Sequence, residues 1–343
     1  MQAKPAPAVP SDAAAPVLSV RDLRTYYRAN RLGIRREVKA VDGVSFTVRR
    51  AEIYGVAGES SSGKTTLLKS IAGAIRPPLE IVGGEINFAF LPGYAGLHRA
   101  PPKEIARVRW RHLSCIMQGS MSALNPLRRL RSTFIDFAYP HIGGTREQFE
   151  QQLIAHLARV ALDPSVLAAY PHELSGGMRQ RATFALATIC RPDLIIADEP
   201  TTALDVLVQK EVLGMISGIR GEIGSSVLLV THDMGVHAQV SDRLGILYAG
   251  RLVEEAPTSE IFRNPLHPYT RHLISSLPRI GDDAPREGLG GGPPNLADPP
   301  PGCRFHPRCS LAMSVCSRQA PPTLEAAPGH RVSCFAVNQS GEA

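Results

Sequence analysis

No stretch of this 343-residue sequence reaches the run of about 18 uninterrupted apolar residues that a membrane-spanning helix requires, so the chain is not expected to cross a bilayer. The leading segment, MQAKPAPAVPSDAAAP, holds Pro and Ala but no continuous apolar core. That excludes a secretory signal and predicts a loose tail over residues 1–16 of a cytoplasmic protein. No internal repeat is present, which excludes solenoids and propellers. Cysteine is scarce: of six, Cys115 and Cys190 are scattered and the other four lie beyond Gly302. Such a distribution suits a local metal or redox site better than a disulfide framework. Acidic residues are outnumbered, 31 against 38 Lys and Arg, for a net charge of +7. The excess favours an anionic partner such as a nucleotide, nucleic acid or lipid surface without choosing among them. What the chain does have is an ordinary 43% hydrophobic content and enough length for two or three structural units with a real core.

Val17 to Tyr27 (VLSVRDLRTYY) reads as a strand, followed by a basic loop, RANRLGIRREVK, and by the β-rich runs VSFTV and EIYGVAG. KTTLLKSIAGAI repeats apolar residues at helical spacing before Pro77-Pro78 stops it. Residues 101–191 are mostly helical in character, with EQFEQQLIAHLARVAL amphipathic and MRQRATFALATICR more buried. LIIAD and SVLLVT, separated by the helix VLVQKEVLGMISGIR, have the strand, helix, strand rhythm of a parallel sheet. RLGILYAGRLVEEA predicts a hairpin turning at Ala249-Gly250. The Pro/Gly-rich segment 281–302 reads as a linker to the cysteine-bearing end.

Gly58-Glu59-Ser60-Ser61-Ser62-Gly63-Lys64-Thr65 matches G-x-x-x-x-G-K-[ST], and Thr66 continues it into a helix. Placed after a strand and before a helix, its backbone N–H groups close around phosphates and the helix N-terminus adds a positive dipole end. Lys64 reaches the β and γ phosphates, and the Thr65 hydroxyl binds Mg²⁺. Leu194 to Pro200 (LIIADEP) supplies the acidic element that such chemistry needs. Asp198 at the strand end would hold Mg²⁺, and Glu199 would orient or deprotonate the attacking water.

Leu174-Ser175-Gly176-Gly177-Met178-Arg179-Gln180-Arg181 resembles the signature of the ATP-binding cassette (ABC) ATPases. A Ser hydroxyl and Gly amides at a helix start form an anion site, which in that family faces the γ-phosphate on the other subunit's P-loop. The resemblance extends to Gln118, similar to the Q-loop glutamine near Mg²⁺, to Ala203-Leu204-Asp205, similar to the D-loop, and to His232 in VTHDMG, similar to the switch histidine. Tyr27 resembles the aromatic residue that stacks on adenine, with Tyr26 the alternative. These features imply an α/β fold over residues 17–262: a RecA-like α/β core, an antiparallel β subdomain and a helical subdomain at about 101–191. They also imply ATP and Mg²⁺ as cofactors, with Glu199, His232 and Gln118 catalytic.

ALNPL, HELSGGMRQR and NPLHPYTRHLISSLP resemble the di/oligopeptide and nickel importer branch, in which an extension, here 263–343, follows the nucleotide-binding domain. Two departures stand out: Ser61 replaces a Gly usual in that branch, and QGSMSALNP replaces QDPMTSLNP. The branch implies two membrane permease subunits, a second identical or homologous ATPase, an extracytoplasmic binding protein and a peripheral place on the cytoplasmic face of the membrane. Short peptides are the implied cargo, with nickel or oligosaccharides as alternatives. No nucleic acid is expected, because the long coiled coil or the second cassette of the nucleic-acid and ribosome members is missing. Cys303, Cys309, Cys316 and Cys334 do not match the tight C-x2-4-C pairs of zinc fingers. Related importer ATPases with a similar extension carry a [4Fe-4S] cluster there; Zn²⁺ and no metal are the alternatives.

Overall fold

The computed structural model describes residues 16–31, 34–117, 119, 124–202, 206–219, 221, 224–277 and 289–338. Its chain order begins β1 (Leu18–Arg31), β2 (Ile34–Val48), β3 (Ile53–Ala57), α1 (Lys64–Ile71), β4 (Leu79–Phe88), α2 (Pro102–Val108) and β5 (Leu113–Ile116). Then come α3 (Leu130–Phe137), α4 (Tyr139–Ile142), α5 (Arg146–Arg159), α6 (Gly176–Thr188), β6 (Leu194–Asp198), α7 (Val206–Gly218), β7 (Ser226–Val230) and α8 (Met234–Val240). The chain closes with β8 (Arg243–Tyr248), β9 (Arg251–Pro257), α9 (Thr258–Arg263), α10 (Pro268–Ser275), β10 (Leu324–Ala327), β11 (His330–Val332) and α11 (Phe335–Asn338).

Two sheets organise these elements: an antiparallel one, β2-β1-β4, and a larger one, β10-β11-β9-β8-β3-β7-β6-β5. In the larger sheet β5, β6, β7, β3 and β8 are parallel neighbours, and β9 then joins β8 antiparallel through the hairpin at Ala249-Gly250. The central strands β3, β6 and β7 are buried at every position, as strands covered on both faces must be. On one face, Leu67, Leu68 and Ile71 of α1 pack with Val44, Phe46 and Ile86 of the antiparallel sheet. The opposite face packs against Phe184 of α6, Val212 and Ile216 of α7 and Val236 of α8. A separate apolar cluster, with Leu130, Phe134, Phe149, Leu153 and Leu157, holds the helical region together. Thr145 starts α5 there with a capping box, its hydroxyl accepting from Gln148 N while the Gln148 side chain accepts from Thr145 N.

The segment read as a basic loop differs: β1 and β2 run on through it, pairing Arg28 with Glu37 and Arg31 with Ile34. Cross-strand charge pairing explains why, since the Arg28 guanidinium meets Glu37 at 2.7 Å. The C-terminal end is also more integrated than a tail beyond a linker. Its hairpin, β10-β11, extends the main sheet by pairing Arg331 and Val332 with Glu255 and Glu254 of β9. The described part of the Pro/Gly-rich segment lies on the body, where Leu296 O accepts a hydrogen bond from Lys39 N at 2.9 Å.

Glu254 anchors this end. Its buried carboxylate accepts from the N–H groups of Leu266 (2.8 Å) and His267 (2.9 Å) and meets His330 Nε2 at 2.7 Å. Burial pushes the carboxyl up, but these hydrogen bonds outweigh it and hold it below its usual value. Ionised Glu254 therefore contributes stability above the unfolded pKa of about 4.3, and that contribution is lost as pH falls through the lower folded value. Glu254→Gln is expected to cost about 1.5–3 kcal/mol at neutral pH. Denaturant titrations across pH should show the difference from wild type shrinking below about pH 4.

Candidate functional site

The phosphate-type loop follows β3 directly. At Gly58, φ 153°, an added Cβ would sit 2.1 Å from Leu247 O, and at Gly63, φ 105°, 2.0 Å from Ala40 O; only glycine fits either place. Ser62 is buried, and its carbonyl accepts from Gly250 N at 2.8 Å, which ties the loop to the β8-β9 turn. Ser60, Ser61 and Thr65 face solvent. Ser61 takes the left-handed conformation, φ 64°. The loop thus keeps a glycine-like backbone with a side chain in place, at a cost of roughly 1–2 kcal/mol. Ser61→Gly removes that cost but adds about 0.5–1 kcal/mol of unfolded-state entropy. Chemical denaturation should therefore show a gain between nothing and about 1.5 kcal/mol, with nucleotide affinity within about twofold of wild type.

Lys64 is folded into the loop, its Nζ donating to Gly58 O and Glu59 O at 2.7 Å each and reaching Ser62 Oγ at 3.4 Å. Burial lowers its pKa, and the charges of Glu199, Asp198 and Glu59 resist that shift. Those acids arrive because β6 and β7 are parallel and in register, with Asp198 opposite Val230. Glu199, the next residue, has φ 48° and donates its N–H to Val230 O at 2.8 Å. His232, two residues past β7, meets Glu199 Oε1 through Nδ1 at 2.9 Å, and Thr202 Oγ1 donates to Glu199 Oε2 at 2.8 Å. Burial pushes the Glu199 carboxyl up, but the His232 and Thr202 contacts and the charges of His232 and Lys64 bring it below its ordinary value.

Asp198 has the opposite character. The residue is 1% exposed, and among the described residues neither carboxylate oxygen is satisfied by a well-formed hydrogen bond, although the Thr65 hydroxyl lies close enough to favour the ionised form. Burial and then the charge of Glu199 raise its pKa; the Thr65 hydroxyl and the charges of Lys64 and Lys69 pull the other way without cancelling this. A buried carboxylate so poorly satisfied is the observation that fits a divalent cation, because Mg²⁺ takes oxygen ligands and would supply the missing positive charge.

Tyr26 and Tyr27 separate cleanly. Tyr26 is buried and bonds Asp42 at 2.5 Å, whereas half-buried Tyr27 lies against α1, its hydroxyl 3.3 Å from Thr66 Oγ1. Ser175 caps α6, accepting from Met178 N at 3.2 Å, and is exposed; a Cβ added to Gly176 would meet nothing within 4 Å. The signature thus presents an open helix start. Gln118 and Asp205 lie outside the described residues.

Sequence reasoning missed four participants. Thr202 holds Glu199, and Gln180 of α6 donates to Pro200 O at 2.8 Å, joining the signature helix to the acidic strand end. Tyr269 and Arg308 of the C-terminal region both hold Glu59. Spacing gave no signal for these pairs, although HPYT, which contains Tyr269, stood out as a motif.

Cys303, Cys309, Cys316 and Cys334 line one cavity of about 10 Å³, with His267, Phe305 and His306 around it. Burial, with a smaller contribution from its neighbours' thiols, raises the Cys303 thiol to about 11, and Cys309 and Cys334 are raised as well. Four thiols suit an iron–sulfur cluster as donors. Their arrangement does not: among the described residues no group of three or more His, Cys, Asp or Glu side chains is disposed to hold a metal ion.

Comparison with known proteins agrees with this architecture. Residues 41–202 match the family described as ABC transporter, and 253–316 match the oligopeptide/dipeptide transporter C-terminal region. The dipeptide transport ATP-binding protein DppD of Bacillus subtilis is 39% identical, covering 89% of this chain and 91% of its own. A putative peptide import ATP-binding protein of Brucella ovis is 37% identical, covering 93% and 97% respectively. A solved dimeric ATP-binding cassette in a post-hydrolysis state with ADP and Pi superposes with a TM-score of 0.59 at 22% identity, over 70% of this chain and 98% of its own. The fold is that of an ABC ATPase cassette. The chain belongs to the ABC transporter ATP-binding proteins and is an ATPase of that class. Its C-terminal region is that of the oligopeptide/dipeptide branch.

Proposed function

We propose that this protein is the ATP-hydrolysing subunit of an importer of di- and oligopeptides. It would dock from the cytoplasmic side on two permease subunits, pair with an identical or homologous second ATPase and serve an extracytoplasmic binding protein. The observation that carries the reading is the join of two parts: a site where Lys64, buried Asp198 and the Glu199–His232 pair converge, and an oligopeptide/dipeptide-type C-terminal region packed onto it. Among the described residues no helix is long and apolar enough to cross a membrane, so the translocation path would belong to other chains.

The residues divide the work as follows. N–H groups of residues 58–65 and the start of α1 cradle the phosphates, while Lys64 exchanges its contacts with Gly58 O and Glu59 O for the β and γ phosphates. Thr65 and Asp198 would hold Mg²⁺, with Gln118 assigned to the same ion, and Mg²⁺ would supply positive charge to the phosphoryl oxygens. Glu199 orients the attacking water and accepts its proton, and His232 fixes Glu199 and reaches the γ-phosphate. Tyr27 stacks on the base. Ser175, exposed here, with Gly176 and Gly177 at the start of α6, would bind the γ-phosphate held by the partner's loop, and Asp205 is assigned to the same nucleotide. Splitting each site between two chains lets ATP favour the closed dimer; a near-complete shift takes about 5.5 kcal/mol of differential binding.

The four thiols share one cavity but are not disposed to hold an ion, so neither a [4Fe-4S] cluster nor Zn²⁺ is assigned to them. The transport reading is tested by ATPase activity of the complex that co-purifies with this subunit, with its binding protein, before and after adding mixed short peptides. Stimulation supports peptide import. An intact complex that ignores peptides moves the cargo to nickel or oligosaccharide, and failure to recover any membrane partner removes the transport reading.

A further inference from the structure

Among the described residues, hydrogen bonds from the C-terminal region to the phosphate loop converge on Glu59, which they grip in two ways. Arg308 donates from both terminal nitrogens to both carboxylate oxygens of Glu59, at 2.9 and 3.1 Å. This is the two-pronged geometry in which Arg–carboxylate pairs are strongest and most directional. The Arg308 side chain is 8% exposed and that of Glu59 23%, so water screens the pair less than it would a surface pair. Arg308 is itself fixed from behind: Nε donates to Gly290 O at 3.0 Å, and a terminal nitrogen reaches the Tyr248 hydroxyl at 3.3 Å. Independently, the fully buried Tyr269 accepts the Glu59 backbone N–H on its hydroxyl at 2.7 Å. Side chain and main chain of one loop residue are thus held by two groups more than two hundred positions away in sequence.

The location gives the grip a consequence. Glu59 O and Gly58 O are the carbonyls that hold the Lys64 ammonium. The loop is built of Gly and Ser, residues that cost much entropy to order. Fixing Glu59 beforehand leaves less ordering for nucleotide binding to supply. Charge acts in the same direction: an unpaired carboxylate in a loop that receives phosphate would repel its ligand, and Arg308 cancels it.

We propose that Arg308 and Tyr269 are positioning residues for ATP: through Glu59 they hold the phosphate loop in its binding conformation, so that the C-terminal region sets nucleotide affinity. The inference rests on the nucleotide site proposed above. Arg308→Ala in the full-length chain is expected to weaken Mg-ATP binding, measured by calorimetry, by about tenfold, the size of one lost charge-assisted contact. In the assembled complex KM for ATP rises correspondingly while kcat stays within about twofold. Arg308→Lys, which keeps the charge and one prong, falls between the two. Tyr269→Phe, which removes only the acceptor for Glu59 N–H, weakens binding by about threefold to tenfold and serves if Arg308→Ala does not fold.

A purely structural role for these residues predicts a different pattern: a lower melting temperature and a smaller active fraction, with kcat reduced at unchanged KM. That pattern, or affinities within twofold of wild type in both folded variants, overturns the proposal. Lys64→Ala is the companion measurement. If it abolishes binding while Arg308→Ala and Tyr269→Phe bind normally, the grip is refuted and the nucleotide site stands; if Lys64→Ala binds normally, the site itself is refuted.

Discussion

Glu199→Gln is expected to keep Mg-ATP bound while lowering turnover by about 10²- to 10⁴-fold, the range for losing a general base. The geometry singles this residue out. Both carboxylate oxygens are held, one against His232 at 2.9 Å and the other by Thr202 at 2.8 Å, and the backbone is pinned through the N–H to Val230 O. Gln preserves shape and volume, so binding and dimer closure survive and the loss falls on proton acceptance. Despite burial, the wild-type carboxyl lies below its ordinary pKa because of His232, Thr202 and Lys64, and it is therefore ionised throughout the neutral range. Through this group, turnover should fall on the acid side. The neighbouring γ-phosphate would push the carboxyl upward on binding, nearer the value at which a base works best. Single-turnover hydrolysis in the purified complex measures this; a variant that turns over at the wild-type rate removes Glu199 from the chemistry.

Asp198→Asn should have opposite effects on function and on the ligand-free fold. With neither oxygen satisfied by a well-formed hydrogen bond and the residue buried, the carboxylate is a charge the protein stabilises poorly by itself. Its pKa is raised, first by burial and then by Glu199. The sign follows: a carboxyl raised on folding costs stability above its folded pKa, and the cost disappears as pH falls through that value toward the unfolded one. Removing the charge therefore leaves the nucleotide-free melting temperature at or above that of wild type at neutral pH. Mg²⁺-dependent nucleotide stabilisation, about 2.7 kcal/mol when ligand stands at a hundred times Kd, should largely vanish, and turnover should fall at least about 10²-fold. Thermal melts with and without Mg-ATP separate the two effects. A variant that loses stability without ligand yet keeps its Mg-ATP shift would mean that Asp198 is structural.

Local pattern carried the cassette well into view before any coordinates. The P-loop, the apolar strand ending in Asp198-Glu199 and the capped signature are contiguous motifs whose neighbours in sequence are also their neighbours in space. The hairpin at Ala249-Gly250 is likewise local, and the structure has it between β8 and β9. What stayed hidden depends on long-range pairing. Four-residue β5 has no length to display a period, and β10 and β11 are strands because β9 offers an open edge. The same holds at the site. Glu199 and His232 were each visible, but their contact follows from the register of β6 against β7. Glu59 was visible only as a variable position of a loop motif, and nothing nearby announces partners at Tyr269 and Arg308.

The hairpin that closes the main sheet makes this protein late to finish. Until β11 is made, β9 presents an unpaired edge, and Glu254 and Glu255 lack their His330 and Arg331 partners. On a ribosome adding about 5–20 residues per second, the nucleotide motifs emerge well before the segment that braces them. If Tyr269 and Arg308 hold Glu59 as proposed, a chain cut before Tyr269 would carry the P-loop, the acidic strand end and the signature with neither grip on the loop.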